Sequence, residues 1–159
     1  MRLYSLEFGA GEVNDMDIDR KNDIRPLPHI TFACHALAVP RNRASYSFIH
    51  SSQFIEHLIP TEQAEFIELC FDLLVSGGMF VAFTPDLDWI YQAHVSGEIS
   101  EEHYYNLLHG KGDYAENIHL GLLNKERAEA LLKHVRFDIH SIRSVNGSLE
   151  IIAFKPGAK

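Results

Sequence analysis

The stretch that decides the fold runs from residue 45 to residue 85, SYSFIHSSQFIEHLIPTEQAEFIELCFDLLVSGGMFVAFTP. Its opening, Ser45–His50, reads as a strand. Pro60 precedes apolar residues at Ala64, Phe66, Ile67, Leu69, Cys70, Leu73 and Leu74. Spacings of three and four mark an amphipathic helix, with Thr61 placed to cap it. Gly77-Gly78 ends that helix. Met79–Thr84 is a continuous apolar run, the pattern of a strand buried on both faces of a parallel sheet, and Pro85 stops it.

Toward the N-terminus, Leu3–Phe8 is a short apolar run ending at Gly9-Ala10-Gly11, a buried strand entering a tight turn. Met16–Asp19 is a very short second strand candidate and Ile30–Ala33 a third. The prolines of Asn22–Pro28 make that segment a connection. Toward the C-terminus, Ser100-Glu101-Glu102 and His103–Leu108 suggest a helix, followed by the loop His109–Asn117. Asn124 caps a helix through Leu132. Phe137–Ile142 and Ser148–Phe154 are expected to pair as a hairpin around Asn146-Gly147. The order is mostly α/β, closed by an antiparallel hairpin.

Bulk properties narrow the function classes. At 159 residues one domain, 1–159, is expected, and 46% hydrophobic with 23% charged residues is an ordinary globular composition. The net charge of −8 opposes nucleic-acid binding, which needs a basic face, and favours a small-molecule substrate. No apolar run approaches the roughly 20 residues of a membrane span. The start, MRLYSLEFGAGE, has no signal-peptide pattern, and Cys34 and Cys70 read as buried thiols, so a cytoplasmic protein is expected. Ten histidines are scattered without HxH, HExxH or CxxC spacing, so no metal site is expected.

Four segments follow one another in a telling order: Leu6-Glu7-Phe8-Gly9-Ala10-Gly11; Asp15-Met16-Asp17-Ile18-Asp19; residues 33–40 (ACHALAVP) with 45–58; and residues 74–86 (LVSGGMFVAFTPD). Together they resemble the motifs of class I S-adenosylmethionine-dependent methyltransferases, most specifically in the third segment with its Glu56-His57 pair. A weaker resemblance extends to Ile118-His119-Leu120 and residues 124–132. The resemblance implies a Rossmann-like α/β sheet, mostly parallel, with a C-terminal antiparallel hairpin. It also implies S-adenosylmethionine as cofactor. On it, Glu7, Gly9, Ala10 and Gly11 belong to the turn against the cofactor's methionine moiety. Asp17, with Asp19 second, takes the ribose hydroxyls, while Cys34, His35 and Ser51 complete the cofactor site.

The chain departs from that pattern in ways that bear on activity. Glu12 follows the Gly-x-Gly turn, and only Glu12–Asp15 separate it from the expected second strand, too few residues for the usual first helix. The first helix is therefore expected to be shortened or missing. His35 stands where the family usually has an Asp for the adenine amino group, and a neutral imidazole brings no negative charge. The N-terminal helices that often cover the family's active site are also not expected.

Methyl transfer often needs one base for the acceptor, and His57 and His119 are the candidates. The variable segment 86–121, with Trp89, Tyr91, Tyr104, Tyr105 and Tyr114, is expected to be a lid or acceptor region. A packed helical subdomain or a homo-oligomer contact are its alternatives. The expected function is methyl transfer to a small molecule, such as a sugar or secondary metabolite. The alternative is a catalytically degenerate domain serving as a binding or scaffolding partner.

Overall fold

In a computed structural model, which describes residues 3–12, 14, 16–41, 44–113 and 115–157, seven strands form one sheet. They are β1 (Tyr4–Phe8), β2 (Arg20–Asp23), β3 (Phe32–Ala33), β4 (Tyr46–Ser52), β5 (Leu74–Pro85), β6 (Asp138–Val145) and β7 (Ser148–Phe154). Their spatial order is β3-β2-β1-β4-β5-β7-β6. β7 runs antiparallel to β5 and β6, and the other pairs are parallel. The helices are α1 (Pro60–Leu73), α2 (Leu87–Val95), α3 (Glu101–His109) and α4 (Lys125–His134), with 3₁₀ turns at Ala36–Ala38 and Ile55–His57. This is a Rossmann-like α/β sheet with the expected closing hairpin. Both hairpin turn residues, Asn146 (φ 50°) and Gly147 (φ 82°), have positive φ, as a type I′ turn requires.

Parallel register sorts the side chains by face. Leu6, Phe8, Ile49, Phe80 and Ala82 point to the side covered by α1 and α4, where they meet Phe66, Leu69, Leu73, Leu132 and Phe137 in the core. The opposite face carries Glu7, Phe48, His50, Val81 and Phe83. Among the described residues no helix follows β1. The link between Phe8 and Arg20 is instead pinned by polar contacts. The Asp19 carboxylate accepts from Ser5 N and Ser5 Oγ (both 2.9 Å), and Lys21 Nζ donates to Met16 O (2.9 Å).

Several expected boundaries move. The second strand is Arg20–Asp23, not Met16–Asp19. Lys21, Asn22 and Asp23 are polar yet buried, because each is paired, so no apolar run betrays the strand. The link after β1 is correspondingly longer than Glu12–Asp15. Thr61 is not the cap of α1. Ile59 is: its backbone N–H donates to the Glu62 carboxylate (3.2 Å), and Pro60 takes the first helical position. β5 starts at Leu74 and runs through Gly77-Gly78, because Lys155 pairs with both: Gly77 N to Lys155 O is 2.8 Å and Lys155 N to Gly78 O is 2.9 Å. Phe137 precedes β6 and packs edge-on to Phe71, with ring centroids 5.0 Å apart.

Candidate functional site

A cavity of about 330 Å³ opens at the carboxyl ends of β1, β2 and β4, where open α/β sheets bind ligands. Its size falls in the ordinary range for ligand pockets. The glycine turn forms one wall. Gly9 has φ 67°, and a Cβ there would stand 2.7 Å from Phe54 Cβ, so both the backbone and the neighbouring ring demand glycine. Gly11 donates its N–H to Asp23 Oδ2 (3.0 Å), and its carbonyl lies 2.9 Å from His29 Nε2.

Asp23 is the acidic residue at the end of the second strand. Asp17 is exposed, lies outside β2 and is not among the cavity-lining residues. Its place follows from the shifted strand, which begins at Arg20. Asp19 likewise precedes β2, where its carboxylate binds Ser5. Asp15, also in that segment, lies outside the described residues. The Asp23 carboxylate accepts from Arg25 N (2.8 Å), Arg25 Nε (3.1 Å), Arg25 Nη2 (3.4 Å) and Gly11 N. Burial pushes its pKa up, but the bonds from Arg25 and Gly11 outweigh it and hold the carboxyl below its ordinary value.

The other expected cofactor residues divide. Cys34 and His35 line the cavity. His35 Nδ1 accepts from Leu37 N (3.4 Å), capping the 3₁₀ turn, and its Nε2 lies 3.7 Å from Glu62. Ala10, Glu7 and Ser51 are not among the lining residues. Ala10 is buried, with its N–H on Asn22 O (3.0 Å). Ser51 is fully buried beside Phe8 and Ala82 on the core face. Glu7 points to the opposite face, between His50 Nδ1 (3.2 Å) and Lys21 Nζ (3.3 Å). Burial opposes its charge, yet the His50 bond and the Lys21 charge hold its pKa below normal.

The two candidate bases meet at the cavity's edge. His57 lines it, and the His57 and His119 rings stand edge-to-face with centroids 5.1 Å apart. His57 Nδ1 lies 3.0 Å from Ile118 O and His119 Nδ1 2.8 Å from Leu107 O. A carbonyl has no proton to give, so each neutral ring carries its proton on Nδ1 and leaves Nε2 as an acceptor. Desolvation, reinforced by the His57 and His109 charges, outweighs the Leu107 bond and keeps the His119 pKa below its usual value. Beneath them, Glu56 is fully buried. Its Oε2 accepts from Thr84 Oγ1 (3.0 Å), and burial raises its pKa to about 7.

Of the variable segment, Ala115, Glu116, Ile118 and Leu120 line the cavity, whereas Trp89, Tyr91, Tyr104 and Tyr105 are not among the lining residues. Trp89 packs against Gly147, and Tyr104 stacks on His94 at 4.0 Å. The Tyr104–His94 stack joins α3 to α2, Tyr105 meets Tyr104 edge-on and stacks on His109 within α3, and Tyr91 is exposed; Tyr114 lies outside the described residues. Sequence reasoning missed Asp23, Arg25 and the wall from Gln53 to Phe54. Gln53 has φ 49°, a backbone feature with no sequence signal.

No protein-family model matches the chain, and no curated protein matches it by sequence. Solved structures resemble it in fold. A SAM-dependent methyltransferase from Methanosarcina mazei is 15% identical with TM-score 0.64, covering 97% of this chain and 92% of that one. The 1,6-didemethyltoxoflavin-N1-methyltransferase of Burkholderia thailandensis, solved with 1,6-didemethyltoxoflavin and S-adenosylhomocysteine, is 15% identical with TM-score 0.64, covering 98% and 72%. The [4+2]-cyclase SpnF is 11% identical with TM-score 0.66, covering 98% and 75%.

Proposed function

Starting from a chain with the class I methyltransferase fold, we propose that it transfers a methyl group from S-adenosylmethionine to a small-molecule acceptor. The observation that carries this reading is the cavity beside the side-chain-free Gly9 turn, with buried Asp23 at the end of β2. The residues suit a nucleoside. Asp23 would hold the ribose hydroxyls, in exchange for hydrogen bonds that it now accepts from the Arg25 guanidinium. Gly9, Gly11, Cys34 and His35 form the surrounding wall. The cofactor, when bound, supplies an electrophilic sulfonium methyl. The protein aligns donor with acceptor, and Nε2 of His57 or His119 removes the acceptor's proton. The acidic chain and a small-molecule methyltransferase among its structural neighbours support a small acceptor, and two free cysteines support a cytoplasmic setting.

Calorimetric titration with S-adenosylhomocysteine tests the reading. Binding is expected, and Asp23→Asn should weaken it by about 1.5–3 kcal/mol, roughly 10- to 150-fold. Asp17→Ala should leave it unchanged. Absence of binding up to about 1 mM would overturn the enzyme reading. It would favour a non-catalytic binding domain, the reading to which the link after β1, with no helix among its described residues, and the occupied Asp23 carboxylate also point.

A further inference from the structure

We propose that Glu56, His57 and His119 form a binding site for one divalent first-row transition-metal cation, ligated by the Glu56 carboxylate and Nε2 of each histidine. One donor atom from each of the three side chains lies within 4.8 Å of the others. Metal–ligand bonds of about 2.0–2.2 Å let two ligands of one ion stand no more than about 4.3 Å apart. Small side-chain rotations therefore close the group onto an ion.

Three further observations point the same way. Glu56 is fully buried, and its Oε1 has no hydrogen-bond partner, an uncompensated acceptor beside two imidazoles. Both histidines spend Nδ1–H on a backbone carbonyl, Ile118 O and Leu107 O, which fixes the tautomer that presents Nε2. That second bond is the usual companion of a metal-bound histidine. The backbone also clamps the group together, because Leu120 N and Gly121 N both donate to Glu56 O, at 2.8 and 3.1 Å. His119 is thereby held opposite the Ile55–His57 turn. Thr84 Oγ1 orients the carboxylate through Oε2 and leaves Oε1 for the ion.

Two imidazoles and a carboxylate suit Zn²⁺, Co²⁺, Mn²⁺, Ni²⁺ or Fe²⁺ rather than the all-oxygen preference of Ca²⁺ and Mg²⁺. Three protein ligands leave coordination positions open, and His57 reaches the cavity wall. With the cation in place the imidazoles are ligands. An acceptor oxygen on an open position would then lose its proton to water, the cation's charge standing in for the base that a free Nε2 supplies in the metal-free protein. That step alone rests on the methyl-transfer reading; the site itself does not.

The test uses the full chain, stripped with chelator and titrated with CoCl₂, without S-adenosylmethionine or acceptor. Visible absorption and metal analysis after dialysis read the result. One equivalent of Co²⁺ is expected, with affinity lowered at least about tenfold in each of Glu56→Gln, His57→Gln and His119→Gln. Exposed His103→Gln should leave it unchanged. Failure to retain one equivalent, or uptake that survives all three substitutions, overturns the proposal. Should Glu56→Gln fail to fold, His57→Gln at its half-buried position decides the matter. Because no cofactor is present, this outcome is independent of S-adenosylhomocysteine binding.

Discussion

Glu56→Gln in metal-free protein should remove the fall in stability with rising pH that Glu56 contributes between pH 5 and 8. The carboxyl has an ordinary value of 4.5 and a folded-state value of about 7, because burial penalises its charge more than the Thr84 bond rewards it. The folded chain therefore holds a proton that the unfolded chain releases between these values. Glu56's contribution is full below pH 4.5 and is lost as pH rises through 7. Linkage puts the loss from pH 5 to pH 8 at about 2.5 kcal/mol. Glutamine cannot ionise, so its curve lacks this slope. The amide still leaves one polar atom without a partner where Oε1 now stands, at a cost of about 1–3 kcal/mol that does not vary with pH. The stability of wild type relative to the variant should thus fall by about 2.5 kcal/mol between pH 5 and pH 8. Urea unfolding followed by Trp89, the chain's one tryptophan, measures both curves in chelator. Parallel curves, with a difference changing by less than about 0.5 kcal/mol, would refute the buried, protonated carboxyl.

Other consequences follow from the same packing. Lys21→Met strips Glu7 of its cation at a buried site and should cost about 3–5 kcal/mol in urea unfolding, while Glu7→Gln/Lys21→Met costs less than the two single changes summed. Glu7 itself, with its pKa held down, should give stability that is present above pH 4.5 and lost as pH falls through its folded value, an acid limb absent from Glu7→Gln. Gly9→Ala combines a left-handed backbone with a Cβ against Phe54, so stability should fall by at least about 1–2 kcal/mol and S-adenosylhomocysteine binding should weaken; an unchanged melting temperature would contradict the turn's geometry.

Apolar patterning was enough to read the elements that bury a hydrophobic face. β1, β4, α1, the apolar half of β5 and the closing hairpin all carry their period in the sequence, since water must be excluded from one side of each. The motifs from Ala33 to Asp86 fall on β3, β4 and β5 and on the turns that leave them. β2 was not legible. Lys21, Asn22 and Asp23 are buried by pairing with Glu7, Phe32 and Gly11, partners that only the assembled sheet supplies. Asp23, and not Asp17, therefore stands at the end of β2 and on the cavity wall. The histidine pair was named residue by residue. That His119 meets Glu56 and His57 was decided by two backbone hydrogen bonds to Glu56 O between distant segments. Hydrophobic burial is written along the chain with a period, whereas polar pairing and ligand geometry join residues far apart in sequence and exist only once the sheet has closed.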